Sequence, residues 1–170
     1  MARRSLTGVL LVGGASTRFG SPKALARIGG ETLADRAWRT LGEACDERIA
    51  VGKGGEELPF PVLGDGVDEY ASIHGLVAGL RAATTDVCVV LPVDCPNMTA
   101  DALRSLAGAC RDAAVPQTGP LPGAYRKSAL VALTSGELSI RRAIAGLDVA
   151  IVQLDESLLA NVNTPADVDV

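Results

Sequence analysis

The chain has 170 residues, enough for a substantial core but too few for two ordinary domains, so one domain spanning 1–170 is expected. Hydrophobic residues make up 48% of it and aromatic ones only 3%, so the core must be built from Val, Leu, Ile and Ala, a mixture suited to buried parallel strands beneath helices. A net charge of −4 and a pI near 5.0 give the long-range field the wrong sign for nonspecific binding to nucleic acid or an anionic membrane.

The amino-terminal stretch "MARRSLTGVLLVGGA" pairs Arg3 and Arg4 with an apolar run, as a secretory signal does. The run from Val9 stops at Val12 before Gly13 and Gly14, too short for that role, and no other stretch approaches membrane-spanning length. Cys45, Cys88, Cys95 and Cys110 form no CxxC pair or metal-ligand spacing, which predicts reduced, buried thiols. A soluble cytoplasmic protein is the expectation.

Residues 8–12, "GVLLV", read as a first buried strand running into the loop "GGASTRFGSPK". A helix follows over 32–44 with Leu33, Ala37, Trp38 and Leu41 on one face, then a strand at 48–51. A second helix over 72–83 turns Ile73, Leu76, Val77 and Leu80 inward, and a third strand covers 87–93. Thr99 is the expected N-cap of a helix over 99–110 with Leu103 and Leu106 inward. After Arg111 the Pro- and Gly-rich segment predicts a loop-and-strand insertion over the sheet, with short strands near 113–115 and 122–126. A helix at 137–146, a strand at 149–154 and a last helical start at Thr164-Pro165, with Asp167 in its first turn, complete the chain. Alternating strands and helices imply βαβ units and a mostly parallel central sheet between helical layers.

Ligands of such sheets sit at the carboxyl ends of the strands, where the first loop must lie. Gly13, Gly14 and Gly20 allow backbone N–H groups to approach an anion, Arg18 and Lys23 bring positive charge, and Ser16 and Thr17 can donate further hydrogen bonds. The spacing fits neither GxxxxGK[ST] nor GxGxxG. Asp94 follows the third strand and precedes Pro96, so its carboxylate emerges at the same edge. It could hold Mg²⁺ beside phosphate oxygens, or cap the turn before the next helix.

The pattern GG-x-S-x-R-x-G-x-x-K, from Gly13 through Ser16, Arg18 and Gly20 to Lys23, resembles the signature loop of Rossmann-like nucleotidyltransferases. "LPVDCP" (91–96), "GPLPGAYRKS" (119–128) and "NVNTPADV" (161–168) extend the likeness, and the last two are similar to the MobA-like molybdenum cofactor guanylyltransferases. The resemblance implies a three-layer α/β/α fold, GTP and a molybdopterin phosphate as substrates, pyrophosphate as leaving group, and Mg²⁺ on Asp94. It implies Leu11, Val12, Gly13 and Gly14 beside the nucleotide, Lys23 and Arg18 on the phosphates, and Asp65 at a guanine edge. As read from the residues alone, Asp65 could equally belong to an exposed acidic loop.

Tyr125, Arg126 and Lys127 are candidate acceptor contacts, since a pterin phosphate offers a flat ring and an anion. Asn161 and Asn163 could bind acceptor, complete a metal shell or simply cap a turn. Gly52 stands where the family often has Asn, and Ile73-His74 where it has a prolyl turn. His74 is not expected to be catalytic, because a phosphate nucleophile is already an anion. CTP in place of GTP, another phosphate acceptor, or a non-catalytic nucleotide-binding module remain alternatives. Contacts with proteins that deliver or receive the cofactor would be transient.

Overall fold

The computed structural model describes residues 3–13, 23–53 and 57–168. Strand β1 (Leu6–Leu11) is buried along its whole length. A two-stranded hairpin, β2 (Arg27–Ile28) and β3 (Glu31–Thr32), leads into helix α1 (Leu33–Ala44), and β4 (Glu47–Gly52) and β5 (Val62–Gly64) follow. Helix α2 (Ser72–Ala82) precedes β6 (Val87–Pro92), and α3 (Ala100–Ala109) precedes β7 (Ala113–Pro116) and β8 (Gly123–Arg126). The short helices α4 (Leu130–Leu133) and α5 (Ile140–Ala143) lead to β9 (Val149–Val152).

Seven strands form one sheet in the order β5, β4, β1, β6, β8, β7, β9. All are parallel except β8, which runs antiparallel to both β6 and β7. Because side chains alternate along a strand, each buried strand feeds two cores. Leu6 and Leu10 of β1 join Val89 and Leu91 of β6 beneath α1 and α3. Val9 and Leu11 join Cys88 and Val90 on the other side, beneath α2, α4 and α5. The result is the three-layer arrangement the sequence predicts.

Local chemistry sets the helix starts. The Thr32 hydroxyl accepts from Asp35 N–H at 3.0 Å to begin α1, and Thr99 accepts from Ala102 N–H at 3.2 Å to begin α3. Helix α2 lies unusually close to the sheet because Gly75 and Gly79 place no side chain between them. A Cβ on Gly75 would lie 2.9 Å from Leu11 Cδ2, and one on Gly79 would lie 2.9 Å from Val9 Cγ2. Trp38 sits at the margin of the core, stacked on Phe60 with ring centroids 4.2 Å apart and with the Arg48 guanidinium over its ring.

Three expectations are corrected. The segment after Arg111 does not lie over the sheet: β7 and β8 are strands within it, extending it beyond β6. The helix expected at 137–146 contracts to α5, because Ser139 caps it, accepting from Arg142 N–H, and a turn from Ile144 to Leu147 ends it. The terminal element is a 3₁₀ turn, Pro165–Asp167, which stops where Val168 turns extended. No described helix is long and apolar enough to cross a membrane.

Two glycines in helices should respond oppositely to alanine. Gly79→Ala is expected to lower unfolding free energy by about 1–2 kcal/mol, because overpacking against Val9 outweighs the better helix propensity of alanine. Gly108→Ala, on the exposed side of α3 with nothing near its Cβ, should raise it by about 0.5–1 kcal/mol, and denaturant melts of the two variants check both signs. Burial pushes the thiols of Cys45 and Cys88 up to about 12 and that of Cys110 to about 11. A thiol-reactive chromophore at pH 8 should therefore label no cysteine quickly in the native protein and all four after unfolding.

Candidate functional site

The parallel strands β1, β4, β5 and β6 deliver their last residues to one edge of the sheet. There the chain leaving β1 runs hard against the chain leaving β4. Val12 N–H donates to Val51 O at 2.9 Å, and a Cβ on Gly13 would stand 2.6 Å from Lys53 N and 2.8 Å from Gly52 Cα. A Cβ on Gly52 would in turn meet Val12 Cγ2 at 2.8 Å and Gly13 N at 3.0 Å. Glycine at both positions is what permits this approach.

Beside it opens a cavity of about 250 Å³ lined by Leu11, Gly13, Gly52, Lys53, Asp65 and Tyr70, among others. The first turn of α2 contributes Ala71 and Ser72 to its wall. Ala71 provides no side-chain cap, and the first turn of α2 holds no acid of its own, so the positive end of the helix dipole faces this region. Of the residues the resemblance places at the nucleotide, Leu11, Gly13 and Asp65 line this cavity, and Val12 is buried directly between Leu11 and Gly13.

Asp65 stands in a loop whose residues 66–70, Asp68 and Glu69 among them, are exposed, but its own side chain is turned inward. Its side chain is 7% exposed and paired with Lys53, itself 18% exposed, at 2.8 Å. Lys53 Nζ also donates to Asp65 Oδ1 at 2.9 Å, Val67 O at 2.5 Å and Glu69 O at 2.6 Å. Val67 N–H donates to Asp65 Oδ1 at 3.1 Å. Burial by itself would raise the Asp65 carboxyl, but the Lys53 ammonium and the Val67 N–H together hold it below the ordinary range. Lys53 escapes the sequence reading, which stops at Gly52; the available signal was a cation placed immediately after a buried strand. His74 is paired with Glu69, Nε2 to Oε2, at 3.1 Å, so its ring has a partner.

Asp94 follows β6 at the same edge, partly exposed. Its backbone carbonyl accepts from Val162 N–H at 2.8 Å, which docks the terminal segment there and brings in Asn161. Cys95 Sγ lies 3.6 Å from Asp94 Oδ1 and 3.2 Å from Asn161 Oδ1. Burial, followed by the charge of Asp94, raises this thiol far above its usual range. The Lys23 ammonium acts electrostatically on both Cys95 and Asp167. The N–H groups of Asn163 and Thr164 hold the Asp167 carboxylate below its usual range, and they fix Asn163 at the start of the terminal turn. Thus Lys23, Asp94, Asn161 and Asn163, distant in sequence, are gathered into one neighbourhood.

Gly14 and Arg18 lie outside the described residues. Tyr125 and Arg126 are corrected. Tyr125 is fully buried with its hydroxyl donating to Pro120 O at 2.5 Å, so its ring cannot stack on a substrate. Arg126 pairs across the ladder with Val87, at the start of β6, and its guanidinium binds Asp86 at 2.5 Å. It stands at the edge opposite Asp94, because β8 runs in reverse.

A partly exposed carboxylate and an amide oxygen are hard oxygen donors, and together with substrate phosphates they suit a small divalent cation. Among the described residues no cluster of three or more His, Cys, Asp or Glu offers a rival site.

Residues 8–153 match the MobA-like NTP transferase domain. A protein of Deinococcus radiodurans named "Probable molybdenum cofactor guanylyltransferase" is 35% identical, across 95% of this chain and 91% of its own. One of the same name from Rhodopirellula baltica is 31% identical, across 95% and 89%. The solved structure of molybdopterin-guanine dinucleotide biosynthesis protein A from Archaeoglobus fulgidus has the same fold, with a TM-score of 0.79 at 24% identity over 95% of this chain and 94% of that one. With the match to residues 8–153 spanning nearly all of the sheet, the chain belongs to the MobA-like NTP transferase family.

Proposed function

We propose that this protein transfers GMP from GTP to the phosphate of molybdopterin carrying molybdenum, releasing pyrophosphate. The observation that carries the reading is the pairing, on one sheet edge, of a base-sized cavity at β1, β4 and β5 with the Asp94–Asn161 group at the end of β6. A nucleotide laid along that edge would span both. The relatives' names supply guanine and the molybdenum cofactor as the substrates.

The acceptor phosphate is a monoester, largely dianionic at neutral pH because its second pKa is about 6. Its oxygen can attack the α-phosphorus of GTP directly, forming a P–O–P bond as the bond to pyrophosphate breaks, and no general base is required. The enzyme's task is then to position the two phosphates in line and to offset charge as it shifts toward the leaving group. Lys23 and Arg18 supply fixed positive charge for that purpose, and the N–H groups of Gly13 and Gly14 supply donors. Asp94, with Asn161 Oδ1 beside it, would hold Mg²⁺, which when bound draws the phosphate oxygens together and lowers their mutual repulsion. Four reduced cysteines suit a reaction carried out in the cytoplasm.

Incubation with Mg²⁺, molybdenum-loaded molybdopterin and each nucleoside triphosphate in turn tests the reading, with pyrophosphate and dinucleotide measured. Product with GTP is expected. Product with CTP alone would overturn the choice of base, and tight GTP binding without pyrophosphate release would point to a non-catalytic module. Asp94→Ala and Lys23→Ala should each remain folded by circular dichroism while kcat falls about 100-fold or more. Wild-type turnover in either variant would remove that residue from its assigned role.

A further inference from the structure

We infer that Lys53 is a positioning residue for base selection, an ammonium clamp that holds residues 65–70 as the outer wall of the base cavity and restricts how Asp65 can meet a base. The inference rests on the proposed placement of a nucleotide base in the cavity beside Leu11 and Gly13.

The hydrogen-bond inventory makes the case. A lysine ammonium has three protons and no acceptor. Here one is shared by the two oxygens of Asp65, at 2.9 and 2.8 Å, and the others go to Val67 O and Glu69 O. The ammonium also stands 5.3 Å from the Tyr70 ring centroid, within cation–π range. One side chain from the end of β4 thus fastens four residues of a segment with no helix or strand of its own. Asp65 and Tyr70, at the two ends of that segment, both line the cavity.

The same contacts limit Asp65. A carboxylate offers about four lone-pair directions. Lys53 and Val67 N–H take both on Oδ1, and Lys53 takes one on Oδ2. Among the described residues these contacts leave a single direction for a donor on the base, so Asp65 can accept one N–H while the clamp is closed. Its aim is fixed by Lys53, because among the described residues its one other hydrogen-bond partner is a neighbour in its own turn. Without Lys53 the carboxylate would be free to rotate and the wall free to move, which weakens discrimination between bases more than it disturbs phosphoryl chemistry at Asp94.

Lys53→Met removes the ammonium while keeping most of the stem, and Lys53→Arg keeps a cation and several donors. In the ligand-free full-length protein, hydrogen exchange of the amides from Val67 to Tyr70 should accelerate about tenfold in Lys53→Met and far less in Lys53→Arg. In turnover, Lys53→Met should raise KM for GTP about tenfold with a much smaller change in kcat, and narrow the preference for GTP over CTP, with Lys53→Arg restoring most of both. Unchanged exchange at Val67–Tyr70 would overturn the clamp, whatever the nucleotide chemistry proves to be. Faster exchange with unchanged KM and base preference would overturn the role in selection, and a fall in kcat alone would do the same. A wild-type protein that turns over no triphosphate would defeat the functional reading instead, and the exchange experiment would still decide the clamp.

Discussion

The contact on which the edge of this molecule depends is the approach of one backbone to another at the ends of β1 and β4. Gly13 packs directly on Gly52 and the Lys53 amide, with Val12 N–H bound to Val51 O. No side chain can enter that contact from either strand. The asparagine that the family often carries at the position of Gly52 would have to displace Val12 or Gly13, and the first polar side chain on this wall is that of Lys53. The same approach keeps the exit of β1 low against the sheet, with Gly13 in the wall of the cavity.

The second constraint is the depth at which α2 sits. Gly75 and Gly79 bring the helix down on Leu11 and Val9, and its first turn is carried to the cavity mouth beside Ser72. Packing in the core and position of the site are here one fact. A bulkier residue at either glycine would lift the helix away from the sheet and with it the wall holding Ala71 and Ser72. On the far side of β1, the hydrogen bond from Val162 to Asp94 O ties the last described segment to the end of β6. Asn161 then reaches its place by chain connectivity, whatever its side chain prefers.

Much of this was legible in the sequence, for identifiable reasons. The strands β1, β4 and β6 contain apolar runs that end in glycine or a turn, and Thr99 marks a helix start through a local hydrogen bond. The pocket residues Leu11, Gly13 and Asp65 come from the resemblance, and Asp94 from its position after an apolar strand. What could not be read was strand direction. "GAYR" alternates like any short strand, and nothing local states that it runs against β6; that reversal carries Arg126 to the wrong edge, while Tyr125 is buried because both faces of β8 are covered. The length of α5 was hidden for a related reason, since a helical apolar pattern does not reveal that Ser139 will cap only one turn. Lys53 was hidden because its partners, Asp65, Val67 and Glu69, are twelve to sixteen residues away and meet it only when β5 pairs with β4.

The Lys53–Asp65 pair is also informative for what it does not contribute. Taking two charges out of water is expensive, and a buried ion pair is often no better for stability than apolar side chains of the same size. This pair sits at an open cavity, with one partner 7% and the other 18% exposed, where leucine or methionine could fill the space. Apolar side chains there would leave Val67 O and Glu69 O without the donor they now share, and nothing would set the direction of an acceptor at position 65. The fold could close its core without these charges; a wall with a fixed polar direction could not be built from β5 and a loop alone. Among the described residues, the direction of the acceptor at position 65 therefore rests on the cation that reaches the cavity from the end of β4.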